Sequence, residues 1–171
     1  KGQYSRVGDT ACLVVQDTAT MWIDAYPTLT KDAHDTIKSL QNFLSAAEQR
    51  DLGLLYSDGS GEIGLAADWL RLRHDISTPD RPQSNGIAER AVQRVIQGAR
   101  CLLAASGLSH PWWREAVKAY CALRNISDCI HSSPQVRVKA LTPYEARHGS
   151  KFPGLIVPFG QSIQYLSLIH I

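Results

Sequence analysis

No apolar run in the 171 residues approaches the ~20 that a membrane-spanning helix requires, so no membrane partner is expected. No basic–apolar–small leader opens the sequence, which argues against a secretory signal. No Cys-x-x-Cys pair occurs among the four cysteines, Cys12, Cys101, Cys121 and Cys129. The spacing of Cys121, Cys129 and His131 fits none of the common zinc templates either. The cysteines therefore read as reduced, mostly packing residues of an intracellular protein. Internal repeats and low-complexity linkers are also absent. With 20% charged and 44% apolar residues the chain is no disordered tail, and its length suits one domain with a sizeable core.

The formal net charge of +2 hides an asymmetry. Residues 1–58 carry five basic and eight acidic groups, whereas residues 59–171 carry thirteen basic groups, ten of them Arg, and eight acidic ones. An Arg-rich C-terminal part suits a phosphate-bearing partner, though an ordinary solvated surface explains the same charge.

Ala11–Val15 and Met21–Tyr26 are short apolar runs around a polar turn at residues 16–20, the pattern of two adjacent antiparallel strands. From Lys31 to Arg50 the period changes: Ala33, Ile37, Leu40, Phe43, Leu44 and Ala47 recur at three and four, which predicts a helix. Leu54-Leu55-Tyr56 reads as a short buried strand, Leu65 to Arg73 as a helix, and His74 to Thr78 as an extended piece. Pro82-Gln83-Ser84-Asn85-Gly86 is a loop by composition. A long helix is expected from Ile87 to Ser106. Its apolar row is Ala88, Val92, Val95, Ala99, Leu102 and Leu103, and its polar row is Glu89, Gln93, Gln97 and Arg100. Ser109 should cap a helix running to Ile130, with Pro111 in its first turn, and Thr142-Pro143-Tyr144-Glu145 should open a last one. The order of strands and helices is that of an α/β domain.

Two acids stand out. Asp58 ends a strand and is followed by Gly59 and Gly61, so it is either a rigidly held carboxylate or one half of an ordinary Asp-Gly turn. Glu89 lies near the start of the long helix, where the helix dipole alone would favour an acid. Acids on separate rigid elements can also converge on Mg²⁺, which takes few carboxylates, several waters and substrate phosphate oxygens. A pair of such ions activates a nucleophile and stabilises the leaving oxygen in phosphoryl transfer.

Tyr56-Ser57-Asp58-Gly59-Ser60-Gly61-Glu62 resembles the second-acid motif of retroelement integrases. Pro82-Gln83-Ser84-Asn85-Gly86-Ile87-Ala88-Glu89-Arg90 resembles their third-acid motif. The likeness continues through Ala99-Arg100, Trp113-Arg114-Glu115-Ala116, Asn125, Thr142-Pro143-Tyr144-Glu145 and Phe159-Gly160, and includes Asp17–Thr20, Tyr26-Pro27 and Lys31. Over about residues 8–165 the sequence resembles the catalytic core of copia-type LTR-retrotransposon integrases, of the retroviral integrase superfamily.

The resemblance implies an RNase H-like α/β fold, a mixed central sheet flanked by helices, with its first strand truncated. It implies DNA integration by 3′-end processing and strand transfer, with Asp58 and Glu89 as catalytic residues and ligands of Mg²⁺ (or Mn²⁺). Asn85 would touch the DNA end, and Gln93, Arg94, Gln97 and Arg100 would contact DNA phosphates. Element-end and target DNA, a homo-oligomer and a nuclear location are the partners and place implied. The family's first acid has no match: Asp17 aligns with a different Asp, and Asp9 stands too close to the first strand, so that acid is expected upstream of Lys1. The 30 residues between Asp58 and Glu89 are about one helical turn fewer than the family's usual gap. The alternative is a non-catalytic, decayed integrase-like module that binds DNA or serves assembly. Residues 1–150 read as the core, 151–165 as the start of a post-core segment, and 166–171 as a non-native tail.

Overall fold

The computed structural model describes residues 4–44, 53–77, 82–129 and 141–163, without the side chains of residues 82–85. Strand β1 (Ala11–Gln16) pairs antiparallel with β2 (Ile23–Thr28), with Val14 opposite Ala25 and Gln16 opposite Ile23. Side chains alternate across this pair as the pleat requires. Cys12 and Val14 face one way, together with Ile23 and Ala25, onto a core that includes Val95, Ala99, Ala116 and Cys121. Leu13 and Val15 face the other way, onto Ile37, Leu40, Ala66 and Leu70. Burial on both faces explains why Ala11–Val15 is continuously apolar rather than alternating.

The helices supply the two outer layers. Helix α1 (Ala33–Phe43) begins where the Asp32 carboxylate accepts the Asp35 amide, and α2 (Gly61–Leu70) starts after Ser60 and ends in left-handed Arg71. Both cover the Leu13 and Val15 face. Helix α3 (Pro82–Ser106) and α4 (Trp113–Ser127), the latter entered through a 3-10 turn at His110–Trp112, cover the opposite face. Short α5 (Pro143–His148) opens with reciprocal bonds between Thr142 and Glu145 and stops at Gly149 in the left-handed region.

Strand β3 (Leu55–Ser57) pairs parallel with β4 (His74–Ile76). Leu55 shares the α1–α2 core with Leu13 and Val15, so both strand pairs lie on the same helix layer. The expected mixed central sheet is therefore found, among the described residues, as one antiparallel pair and one parallel pair without hydrogen bonds between them.

Several boundaries differ from expectation. Helix α2 starts at Gly61, four residues before Leu65, because two glycines in its first turns lower helix propensity without blocking helical geometry. The segment Pro82–Gly86 is helical rather than a loop: Pro82 pre-sets the first-turn dihedral and its missing N–H costs nothing there. Helix α4 ends at Ser127, and α1 ends at Phe43, where Leu44 turns extended, rather than running on to Arg50. On α3 the buried residues are Ala91, Val95 and Ala99, with Leu102 and Leu103 half-buried, while Ala88 and Val92 are exposed. The apolar row thus starts one turn later than the sequence suggests, since residues 87–90 are all exposed. Two of the four cysteines, Cys101 and Cys129, are exposed rather than packed.

The outer edge of β2 is closed against strand addition. The amide and carbonyl of Ile23 are bonded by Asn125 at 3.1 and 2.8 Å, the Ala25 amide is taken by the Asp24 carboxylate at 2.8 Å, and Pro27 has no amide. Each device satisfies or removes an edge donor, which is how proteins suppress edge-to-edge association.

Candidate active site

Asp58 follows the last residue of β3 and its side chain lies on exposed ground. Among the described residues, and apart from its own neighbours and helix backbone, nothing lies within 4 Å of where Gly61 would carry a Cβ, and at Gly59 an Ile76 methyl does, at 3.5 Å. The strand behind Asp58 is anchored: Ser57 is 7% exposed, and its hydroxyl donates to the Asp58 carbonyl at 2.6 Å. The His74 Nε2 atom lies 2.8 Å from the same hydroxyl.

A cation stands beside Asp58. Lys31, just before α1, pairs with Glu62 in the first turn of α2 at 2.9 Å. The Glu62 carboxylate, by hydrogen bond and charge, and more weakly that of Asp58, hold the Lys31 ammonium above its ordinary value. In return the Glu62 backbone amide and Lys31 hold the Glu62 carboxyl below its own.

Glu89 is exposed and sits seven residues after Pro82. With the helix starting that early, Glu89 lies beyond the first turn, where the dipole gives an acid little advantage. Asn85 lies in the first turn of α3 rather than in a loop, and its side chain is outside the described residues. Gln93, Gln97 and Arg100 share the exposed face of α3 with Glu89. Arg94 does not: it is half-buried, and its charge acts on the Tyr120 hydroxyl of α4.

Two other acids are occupied. Asp9 is 2% exposed, receives Arg114 Nη1 on both oxygens at 2.9 and 2.7 Å, and accepts the Ser5 hydroxyl at 2.7 Å. The Asp17 carboxylate closes its own turn by accepting the Thr20 hydroxyl and the amides of Ala19 and Thr20. Among the described residues one group of three potential metal ligands gathers within 4.8 Å, Asp32, His34 and Asp35, and it includes neither Asp58 nor Glu89. Asp32 and Asp35 there bind the α1 amide and the Thr30 hydroxyl. Cys121 is buried, Cys129 exposed, and His131 lies outside the described residues.

Sequence reading passed over Ser57, His74, the Lys31–Glu62 pair, and the Asp9–Arg114 pair. Lys31, Ser57, Glu62 and Arg114 carried a signal as members of the family-like motifs; His74 and the pairing of Asp9 with Arg114 become visible only when β4 and α4 are placed.

Solved structures share this fold. A chain of the simian T-cell lymphotropic virus intasome in complex with PP2A regulatory subunit B56 gamma superposes with a TM-score of 0.60 at 17% identity, covering 90% of this chain and 54% of that one. The catalytic core domain of BIV integrase superposes with a TM-score of 0.50 at 16% identity, covering 78% and 82%. This is an integrase catalytic-core fold. It is the RNase H-like α/β fold expected from the motifs. In sequence, the chain is related to copia-type retrotransposon Pol polyproteins. It is 28% identical over 140 residues to the retrovirus-related Pol polyprotein from transposon TNT 1-94 of Nicotiana tabacum, covering 77% of this chain. It is 27% identical over 105 residues to that from transposon RE2 of Arabidopsis thaliana, covering 59%. The chain spans 10% and 7% of the length of those polyproteins. No family model matches it.

Proposed function

We propose that the chain is part of an integrase that joins retroelement DNA to target DNA by metal-dependent phosphoryl transfer, with Asp58 and Glu89 as metal ligands. The observation that carries this reading is Glu89: an exposed acid beyond the first turn of its helix, within the motif that resembles the family's third acid. Both candidate ligands are exposed oxygen donors, the type that Mg²⁺ or Mn²⁺ takes alongside water and phosphate oxygens. When bound, such ions supply Lewis-acid activation of the attacking hydroxyl and neutralise the leaving oxygen.

The chain's own residues have definable tasks. Asp58 is held by a pinned strand end and Glu89 by a rigid helix, so each presents its carboxylate from a fixed element. Lys31 compensates Asp58 and Glu62 when no ion is near. Gln93, Gln97 and Arg100 offer donors to phosphates along one face, which would orient DNA without reading its sequence. A third carboxylate is supplied, in this reading, by a strand lying between β1 and β3, whose facing edges have no strand partner among the described residues. Partners are therefore element-end and target DNA and further copies of the chain, and the place is the nucleus.

The test is a strand-transfer assay with Mg²⁺ and an element-end oligonucleotide. A longer polyprotein segment containing this chain is expected to join DNA and to lose joining in Asp58→Asn and in Glu89→Gln. The 171-residue chain alone is expected not to join DNA. Joining by the longer segment that survives both substitutions would overturn Asp58 and Glu89 as the metal ligands, and a longer segment that joins no DNA would overturn the reading in favour of the non-catalytic one. Joining by the chain alone that disappears in Asp17→Asn would mean the first acid had been misplaced.

A further inference from the structure

Ser57 has one hydroxyl proton, and the Asp58 carbonyl 2.6 Å away receives it. The hydroxyl oxygen then faces His74 Nε2 at 2.8 Å as an acceptor, so the imidazole carries its proton on Nε2. The two side chains meet because β3 and β4 are parallel neighbours in which Leu55 stands opposite His74. The result is a chain of donors, from His74 to Ser57 to the Asp58 peptide, at the strand end from which the Asp58 side chain projects. With that peptide pinned, only the two side-chain rotations of Asp58 remain to aim its carboxylate. Ser57 itself is no nucleophile: it is 7% exposed and its proton is committed to the backbone.

We propose that His74 and Ser57 are positioning residues that hold Asp58 in the orientation required to bind a divalent cation. The inference rests on the reading of Asp58 as a metal ligand. The hydrogen-bond partners of ligating groups set their orientation, and losing one commonly weakens metal binding 10–100-fold.

The experiment is calorimetric titration of the chain with Mn²⁺, with circular dichroism as a control for folding. His74→Leu, which removes the donor, is expected to weaken Mn²⁺ binding about tenfold. His74→Gln, whose amide N–H can replace Nε2–H, is expected to recover most of that loss, which a purely space-filling role for the ring would not produce. Asp58→Asn is expected to abolish the site. Binding lost in Asp58→Asn but unchanged in folded His74→Leu overturns the positioning role and leaves Asp58 a ligand. Binding that is absent in the wild type, or unchanged in Asp58→Asn, overturns the ligand reading and the inference together. Nitrogen-15 NMR of the His74 ring tests the arrangement with no substitution: an Nε2–H tautomer is expected, and an Nδ1–H tautomer overturns the donor chain.

Discussion

Deleting the Arg114 guanidinium leaves Asp9 as a buried carboxylate whose remaining side-chain partner is the Ser5 hydroxyl. Removing one partner of a buried ion pair typically costs about 3–5 kcal/mol, because the desolvated charge stays behind. Arg114→Ala is expected to lose a substantial part of that range in urea unfolding, moderated because Arg114 itself is a third exposed. Asp17 gives the residue scale its pH dependence. Burial pushes its carboxyl up, but the Thr20 hydroxyl, the amides of Ala19 and Thr20, and the Arg147 charge outweigh it and hold the group below its ordinary value of 3.8. The unfolded chain therefore takes up this proton first as pH falls. The stabilisation is fully present above the ordinary value and is lost on acidification through the folded one. Asp17→Asn is expected to lower the melting temperature at neutral pH, where the charged group contributes in full, and to flatten its fall between about pH 5 and pH 3, where that contribution is lost in the wild type.

At the scale of elements, the contact between α3 and α4 depends on Gly98. A Cβ there would fall 2.0 Å from the Tyr120 ring, which no side-chain adjustment of a few tenths of an ångström relieves. Gly98→Ala is expected to destabilise the fold by about 1–3 kcal/mol, the usual cost of overpacking. Tyr120→Leu should restore part of the loss, read as a coupling in a double-mutant cycle. Val95, 1% exposed on the same helix, should tolerate no charge, and Val95→Asp is expected to unfold the domain. Gly160 is another such position: its φ is +81°, and a Cβ there would crowd the Ser106 Cβ at 2.5 Å, beside Phe159 packed on the core.

These elements also mark what the sequence discloses. β1 and β2 were legible because apolar runs flank a polar turn, and α1 because its apolar residues recur at three and four. The start of α3 was not, since Pro, Ser, Asn and Gly compose a loop as readily as a helical first turn. The exposure of Ala88 and Val92 was hidden for a related reason: periodicity states which residues share a face, but not where along the helix the neighbouring layer ends. Asp58 and Glu89 could be singled out from motif resemblance, whereas His74 could not be tied to Asp58 until β4 lay beside β3.

At the scale of the whole molecule, helices sandwich a sheet in two pieces, and the exposed face of α3 carries Glu89, Gln93, Gln97 and Arg100 on one side of that sandwich. If that face meets DNA through phosphates, Arg100→Ala should weaken binding to all sequences alike and lower the slope of log affinity against log salt by about one unit. Arg94→Ala should add a stability loss, because Arg94 is half-buried rather than standing clear. Unchanged salt dependence in Arg100→Ala would leave the face as solvated surface.

The central claim, that Asp58 and Glu89 serve one divalent-metal site, is tested most directly by paramagnetic broadening. In an isotope-labelled chain titrated with Mn²⁺, the carboxylate carbons of Asp58 and Glu89 are expected to broaden together, at the same low metal concentration, and ahead of Asp32 and Asp35. Broadening of Asp58 without Glu89, or of the Asp32–Asp35 pair before either, would contradict the account.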